Sequence, residues 1–384
     1  MRIGIDATPL PNEPVGAGIY IIQLIRALTA STIDNKSYQW VIFAHNQGYN
    51  QINIPATAGV EWVILPDRSP IQRLLWEQTY LPLLVRRLEI DILHSLHYTR
   101  PAILSCTSVV TFHDMTFLLF PQYHTRVKRT FFPIAIRLSA RHSQALIAVS
   151  ECTRKDSIRL LNIPAQKIFT VLNGINEEFR QVYEISSLIK VRQKYRLPER
   201  FILTVGLIEP RKNLPTLLKA FSRLVRDGTS CNLVIAGRLG WMYEEVFKLI
   251  EILNLENRVL FTGYLPPEDL PMVYNLAQIF VYPSLYEGFG FPPLEAMACG
   301  IPVISTSTSA MSEQIGDAGL LIPPQDEEAL AEAMQRVLGD LELYKYLSVK
   351  GREHSALFTW KRTAQKTVEV YQQVGTLQVK NPNH

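Results

Sequence analysis

Residues 279–300 read IFVYPSLYEGFGFPPLEAMACG, and this stretch shows how the chain is built. It opens with an apolar run that suits a buried strand, and a glycine-containing loop follows. Pro292 and Pro293 then open a short helix, which Gly300 ends. Continuous apolar strands that alternate with helices are typical of parallel sheets covered on both faces. The stretch therefore predicts one strand–loop–helix unit of an α/β domain.

The same alternation continues along the rest of the chain. Apolar, β-branched runs predict strands at residues 2–6, 39–44, 61–65, 90–94, 108–112, 145–149, 169–172, 201–205, 232–236, 259–262, 279–282, 302–305 and 319–322. Apolar periodicity predicts helices that include residues 20–30, 71–88, 214–226, 243–253, 267–276, 327–338 and 360–374.

The alternation restarts near residue 200, after a polar stretch. We therefore predict two doubly wound, Rossmann-like α/β domains, residues 1–185 and 186–359, that face each other across a cleft. Ligands of such sheets bind beyond the carboxyl ends of the strands. The residues that directly follow each strand are thus expected to carry the chemistry.

The composition excludes several classes of protein. Of the 384 residues 47% are apolar and 19% charged, which is typical of a globular protein and not of a disordered one. The four cysteines lie far apart, so neither a zinc knuckle nor a disulfide framework is expected. No uncharged apolar run is long enough for a membrane span, and the first residues lack a signal-peptide core, so we expect a cytoplasmic protein.

The net charge of +4 is unevenly distributed, since no acidic residue lies between Asp114 and Glu151. Residues 126–141 interleave aromatic with basic side chains, and Pro133 is expected to interrupt their helix. Such a segment is either a solvated helix face or a contact with an anionic membrane. Nucleic-acid binding has little support, because no recognised module accompanies it. The basic residues are Arg126, Lys128, Arg129, Arg137 and Arg141.

Two glutamates bracket the glycine loop of the opening stretch. Glu295 is expected in the first turn of the helix that Pro292 and Pro293 open. It could accept two hydrogen bonds from a vicinal diol such as a ribose, or could stabilise that helix N-terminus. Glu287 lies in the loop itself. The backbone N–H groups of Gly288, Phe289 and Gly290 can approach a ligand closely, and the helix N-terminus favours a phosphate.

The Glu–seven residues–Glu pattern in this setting resembles the retaining glycosyltransferases of family four, which have the GT-B fold. Trp76-Glu77-Gln78 and Asp91-Ile92-Leu93-His94 resemble the branch of that family that transfers mannose and related sugars. Five further motifs agree with the family along the whole chain: Gly16-Ala17-Gly18, His113-Asp114, Asn173-Gly174, Gly206 and Arg211-Lys212-Asn213.

The resemblance implies a nucleotide-diphosphate sugar as the donor substrate and no cofactor. Arg211 and Lys212 would meet the leaving diphosphate, because the chain has no Asp-x-Asp motif for a metal ion. Many relatives carry arginine where this chain has Leu207, so Arg211 is expected to supply that charge. The family's terminal helix crosses back, which implies that residues 360–376 complete the first domain.

The resemblance also assigns the remaining site residues. Glu287 would bind and orient the donor sugar, and His113 would contact the transferred sugar near the reacting carbon. With Arg211 and Lys212 they form the expected catalytic set. The other residues expected to bind the donor are Gly16, Gly18, Gly288, Phe289, Gly290, Leu294 and Glu295.

These observations predict a retaining, metal-independent glycosyltransferase. It would move a hexose, mannose favoured, from a donor such as GDP-mannose or UDP-glucose to a glycan or lipid-linked glycan, as in lipopolysaccharide synthesis. Two alternatives stay open: a nucleotide-sugar epimerase on the same fold and a non-catalytic protein that binds sugar nucleotides. A nicotinamide dehydrogenase is disfavoured, because Ile21 occupies the third-glycine position of its fingerprint.

Overall fold

The computed structural model describes residues 1–30, 38–54 and 60–380, with side chains through residue 375. The chain forms two compact units. The first unit is Met1–Gly174 with the chain from Thr359 onward, and the second is Ile175–Phe358. The division predicted at residue 185 comes later than the observed one, because the N–H of Ile175 already donates to the carbonyl of Phe358 at 3.1 Å.

The first unit is built on a seven-stranded sheet in which every pairing is parallel. The strand order is β3-β2-β1-β4-β5-β6-β7, which is doubly wound. The strands are β1 (Arg2–Asp6), β2 (Gln39–His45), β3 (Val60–Leu65), β4 (Ile92–Ser95), β5 (Thr107–Phe112), β6 (Ala145–Ala148) and β7 (Ile168–Thr170). The helices of this unit are α1 (Ala17–Thr29), α2 (Asn46–Ile52), α3 (Pro70–Arg87), α4 (Thr116–Leu119), α5 (Arg126–His142), α6 (Glu151–Leu161) and, from the end of the chain, α15 (Trp360–Lys380).

The second unit repeats this plan with a six-stranded parallel sheet in the order β10-β9-β8-β11-β12-β13. Its strands are β8 (Phe201–Val205), β9 (Asn232–Ala236), β10 (Val259–Gly263), β11 (Ile279–Tyr282), β12 (Val303–Thr306) and β13 (Leu320–Ile322). Its helices are α7 (Ile185–Tyr195), α8 (Leu214–Arg226), α9 (Glu244–Ile252), α10 (Leu270–Leu276), α11 (Phe291–Ala298), α12 (Ser309–Ile315), α13 (Glu327–Gly339) and α14 (Leu341–Ser355).

These two sheets confirm the predicted fold class of two Rossmann-like α/β domains. Each predicted strand is present, with ends shifted by at most about two residues. The apolar residues of the central strands are almost completely buried, as parallel strands covered on both faces require. Helix α1 begins earlier than predicted, so Gly18 lies inside it instead of before it.

The prediction that Pro133 interrupts its helix is wrong. Helix α5 continues through Pro133, with a C-cap at Ser143. A proline removes one N–H and so leaves the carbonyl of the residue four positions earlier without its helical partner. That residue is Arg129, which is exposed, so water can bind its carbonyl.

Helix α3 has a strong start signal. Ser69 accepts a hydrogen bond from the N–H of Gln72, and the Gln72 side chain accepts from the N–H of Ser69. Pro70 occupies the first helical position. This capping box fixes where the helix begins, and hence which face of α3 carries Glu77 into the core of the first unit.

The terminal helix α15 joins the first unit through a buried hydrogen-bond network. The hydroxyl of Tyr371 lies 2.6 Å from Nδ1 of His94, whose Nε2 lies 2.8 Å from Oγ1 of Thr111. Thr111 in turn contacts the Tyr20 hydroxyl of α1 at 3.0 Å. Burial lowers the pKa of His94 to about 3, so its ring is neutral and links α15, β4, β5 and α1 without a buried charge.

Gly174 provides a test of how closely α15 is joined to the first unit. A Cβ at this position would overlap the backbone nitrogen of Trp360 and lie 2.5 Å from the carbonyl carbon of Thr359. We expect Gly174→Ala to lower the free energy of unfolding by roughly 3 kcal/mol, measured by thermal or denaturant unfolding. The control is Gly339→Ala, where a Cβ meets nothing within 4 Å. Equal stability of the two variants would contradict the expectation.

Candidate functional site

The predicted cationic and acidic residues of the second unit lie at the carboxyl ends of two neighbouring strands. β8 and β11 are hydrogen-bonded neighbours in the sheet. Arg211 and Lys212 belong to a single 3₁₀ turn, Pro210–Lys212, in the loop after β8. Glu287 lies in the loop after β11. Because both loops leave the same edge of a parallel sheet, their side chains come together.

Glu287 binds both cations. Its Oε1 lies 2.6 Å from Nζ of Lys212, and its Oε2 lies 2.7 Å from Nη1 of Arg211. The Ser284 hydroxyl donates a further hydrogen bond of 2.6 Å to Oε1. The structure thus brings three of the predicted site residues into direct contact.

The electrostatics of this group follow from its burial. Burial alone would raise the pKa of Glu287, but Arg211 and Lys212 outweigh it and lower that pKa to about 2. Burial lowers the pKa of the Lys212 ammonium, against the opposite effect of Glu287. Glu287 is therefore a carboxylate at neutral pH and can accept hydrogen bonds but not act as an acid.

Three residues of this group, Glu209, Tyr282 and Ser284, were not identified from the sequence. Glu209 accepts from Nη2 of Arg211 at 2.5 Å, and the Tyr282 hydroxyl lies 2.5 Å from Nζ of Lys212. Glu209 directly precedes Pro-Arg-Lys, so its position after β8 was the available signal. We call the set of Glu209, Arg211, Lys212, Tyr282, Ser284 and Glu287 the Glu287 cluster.

The glycine loop is held in a shape that only glycine permits at one position. Gly290 has a φ of 94° and is the N-cap of α11. A Cβ there would overlap the Met311 side chain. The side chains of Phe289 and Leu294 are buried, so their contribution to a ligand site would come from the backbone.

Glu295 has a different environment from Glu287. It is the fifth residue of α11, so the prediction that it lies in the first helical turn is wrong, because the helix begins at Phe291. Its Oε2 accepts a hydrogen bond of 2.9 Å from the Tyr274 hydroxyl. Burial raises the pKa of Glu295 to about 7, and the Tyr274 bond only partly opposes this.

His113 occupies the corresponding strand end in the first unit, directly after β5. Its Nε2 donates to the carbonyl of Leu96 at 2.8 Å, which leaves the lone pair on Nδ1. Burial lowers the pKa of His113, so the ring is neutral at pH 7. The Tyr20 ring packs edge-on against it at 4.9 Å. Asp114 accepts from the N–H and hydroxyl of Thr116 and so holds the following turn.

The glycine pair of the first unit surrounds the start of α1. Gly16 is its N-cap, with a φ of 49°, and a Cβ there would meet nothing within 4 Å. At Gly18 a Cβ would lie 2.9 Å from Pro14. Gly16 therefore leaves space beside the helix N-terminus, while Gly18 permits close packing of the preceding loop.

The described residues contain no group of three or more His, Cys, Asp or Glu side chains placed to hold a metal ion. Within the same residues, no helix combines the length and the apolar character that crossing a membrane requires.

The raised pKa of Glu295 makes the stability of the second unit depend on pH. The folded-state pKa of about 7 exceeds the ordinary 4.5, so this contribution is complete below pH 4.5 and is lost as the pH rises through 7. We expect it to amount to about 3 kcal/mol of unfolding free energy, seen as the difference between wild type and Glu295→Gln at pH 4.5 and pH 8. The exposed Glu332→Gln is the control. A difference that is constant across this pH range would refute the assignment.

Comparison with known proteins identifies the family. The family model "Glycosyltransferase Family 4" matches residues 14–179, and "Glycosyl transferases group 1" matches residues 188–354. The chain is 33% identical over 266 residues to O-antigen chain mannosyltransferase B of Escherichia coli, a match that covers 69% of this chain and 70% of that protein.

Solved structures show the same fold. Sucrose-phosphate synthase from Thermosynechococcus elongatus superimposes with a TM-score of 0.76 at 22% identity, over 98% of this chain and 99% of that one. Anabaena HepE, solved with UDP and glucose, gives 0.75 at 20% identity, over 97% and 100%. The chain therefore belongs to the family 4 glycosyltransferases and has their GT-B fold.

Proposed function

We propose that this glycosyltransferase moves a hexose, mannose favoured, from a nucleotide-diphosphate sugar to a glycan or lipid-linked glycan, with retention of configuration and without a metal ion. The observation that carries the proposal is the Glu287 cluster, in which Arg211 and Lys212 contact the Glu287 carboxylate at the carboxyl ends of β8 and β11. The mannosyltransferase name of the E. coli relative supports mannose. The UDP and glucose in HepE support a nucleotide sugar.

The first requirement of the reaction is to stabilise the leaving group. As the bond between the anomeric carbon and the diphosphate oxygen breaks, negative charge grows on the diphosphate. Arg211 and Lys212 supply fixed positive charge, and their ion pairs with Glu287 and Glu209 hold them in place beforehand. Preorganised charge of this kind lowers a barrier by several kcal/mol. No metal ion is needed for that role.

The second requirement is to hold the donor. Glu287 remains ionised and can accept hydrogen bonds from the hydroxyls of the sugar. Glu295 would accept hydrogen bonds from the ribose diol, exchanging the Tyr274 hydroxyl for ligand hydroxyls. In the first unit, Nδ1 of His113 is available as an acceptor for a hydroxyl of the transferred sugar.

Retention follows if the acceptor hydroxyl attacks the face from which the diphosphate leaves. The new bond joins the acceptor oxygen to the anomeric carbon, and the departing diphosphate oxygen takes the acceptor's proton. Glu287 cannot serve as a conventional base, because ion pairs with Arg211 and Lys212 keep its pKa near 2.

The proposal is tested with a panel of nucleotide sugars, with and without mannose-terminated acceptors, by measuring release of nucleotide diphosphate. We expect turnover that a chelator leaves unchanged and a product with the anomeric configuration of the donor. Lys212→Ala should lower kcat by about 10²–10³-fold, because the diphosphate loses a buried cation. Lys219→Ala, an exposed lysine on α8, is the control.

Three results would argue against the proposal. Donor isomerised without transfer would indicate an epimerase, whereas donor bound without any turnover would indicate a non-catalytic binding protein. An inverted product would exclude the retaining mechanism.

We further propose that α5 rests on an anionic membrane, which would place the enzyme beside a lipid-linked acceptor. One face of α5 packs inward through Ile136 and Ala140, both buried. The rest of the helix surface combines an exposed apolar stripe, opposite that face, with exposed basic residues and no acidic ones. The stripe consists of Val127, Phe131, Ile134 and Leu138, and the basic residues are Arg126, Lys128, Arg129, Arg137 and Arg141.

Membrane contact predicts that the protein sediments with vesicles that contain phosphatidylglycerol but not with pure phosphatidylcholine vesicles. The double variant Val127→Glu/Ile134→Glu should bind at least about tenfold more weakly, because it places two carboxylates on the stripe. Ile185→Glu, at an equally exposed isoleucine of the second unit, is the control. Equal binding of the double variant and the control would rule out α5 as the contact.

A further inference from the structure

Two side chains of α3 form hydrogen bonds that hold the loop after β4 in place. Glu77 is fully buried and accepts from Nη1 of Arg73 at 2.8 Å and from the Thr99 hydroxyl at 2.7 Å. Gln78 donates to the carbonyl of Arg100 at 3.0 Å and accepts from the N–H of Ala102 at 2.9 Å. The residues of the Trp76-Glu77-Gln78 block therefore fix the course of residues 99–102.

The backbone of this loop is strained where it turns. Tyr98 has a φ of 51°, a left-handed conformation that a bulky residue rarely adopts. Two hydrogen bonds hold it there: its N–H donates to the carbonyl of Thr111 at 3.1 Å, and its hydroxyl accepts from the N–H of Asp114 at 2.9 Å. Strain that the surroundings maintain in this way is common at functional sites.

This turn leaves His97 partly exposed. His97 is half-buried, whereas the other residues of 92–100 are buried. Its ring packs edge-on against Tyr98 at 4.7 Å and lies 5.6 Å from the ring of His113. Among the residues that the structure describes, no other residue forms a hydrogen bond with a ring nitrogen of His97, and the ring's one polar contact is with the backbone of His97 itself.

The surroundings also fix the protonation state of His97. Burial lowers the pKa of His97 well below its ordinary value, and His113, Arg73 and Lys128 act in the same direction. The contact of the ring with its own backbone only partly opposes them. A neutral imidazole carries one N–H donor and one acceptor nitrogen, which together match a sugar hydroxyl.

We infer that His97 binds a hydroxyl of the acceptor sugar, beside the His113 that contacts the donor sugar. The inference rests on the proposed function, since it assigns the acceptor side of that same reaction. Three observations carry it. No other described residue binds a ring nitrogen of His97, a strained turn presents the ring, and the rings of His97 and His113 lie 5.6 Å apart. The ligand class is an uncharged, polyhydroxylated glycan end, such as a terminal mannoside.

The test separates acceptor binding from donor binding. His97→Phe keeps the aromatic packing against Tyr98 and Phe132 but removes both nitrogens. We expect it to raise the acceptor KM by about tenfold, the effect of one lost hydrogen bond, with the donor KM and the melting temperature unchanged. His97→Asn and His97→Gln each restore an amide near one ring nitrogen, so partial rescue by one of them identifies which nitrogen binds. His142→Phe, at an exposed histidine of α5, is the control.

An acceptor KM for His97→Phe within twofold of wild type would overturn the inference, as would a loss confined to the donor KM. A wild type that turns over no donor would defeat the proposed function instead. His97 is then judged by binding of α-mannobiose: the ring signals of His97, assigned by their absence in His97→Phe, should shift in the proton spectrum. Signals that stay fixed at saturating disaccharide would also overturn the inference.

Discussion

The arrangement of the second unit's site depends on one buried carboxylate. Arg211 and Lys212 follow the same strand and would repel each other in a region with little water, if Glu287 did not bind both. Leaving such charges unpaired costs several kcal/mol, so the cations cannot move apart from the loop after β11. The loops after β8 and β11 are thereby joined by ion pairs as well as by the sheet, and the two cations are held in place before any ligand arrives.

The two glutamates of the Glu–seven residues–Glu pattern differ in the pKa of their carboxyl groups, because their surroundings differ. Glu287 lies among cations and remains ionised, whereas Glu295 lies in an apolar helix environment with one phenol as its partner. Their pKa values of about 2 and about 7 differ for that reason alone. In the proposed reaction, the fixed negative charge of Glu287 would suit the hydroxyls of the transferred sugar. A carboxylate that is half protonated near neutral pH gives a weaker, exchangeable contact.

The sequence predicted what depends on local pattern and missed what depends on side-chain geometry. The strands were predictable because buried parallel strands are continuous apolar runs, and the position of Arg211, Lys212 and Glu287 after strands implied that they meet. Nothing local indicated that Tyr282 contacts Lys212, that Tyr274 binds Glu295, or that α5 tolerates Pro133. Those outcomes depend on partners distant in sequence or on which helix face is exposed.

The candidate groups of the two units differ in charge, and this difference fits the chemistry of the proposed reaction. In the second unit Arg211, Lys212 and Glu287 form ion pairs. In the first unit His97 and His113 are neutral, because burial disfavours the imidazolium. The transfer places developing charge on a diphosphate but begins from an uncharged hydroxyl. Neutral imidazoles can orient that hydroxyl without carrying a charge that pairs with its deprotonated form, which fits the proposed transfer of the proton to the diphosphate oxygen.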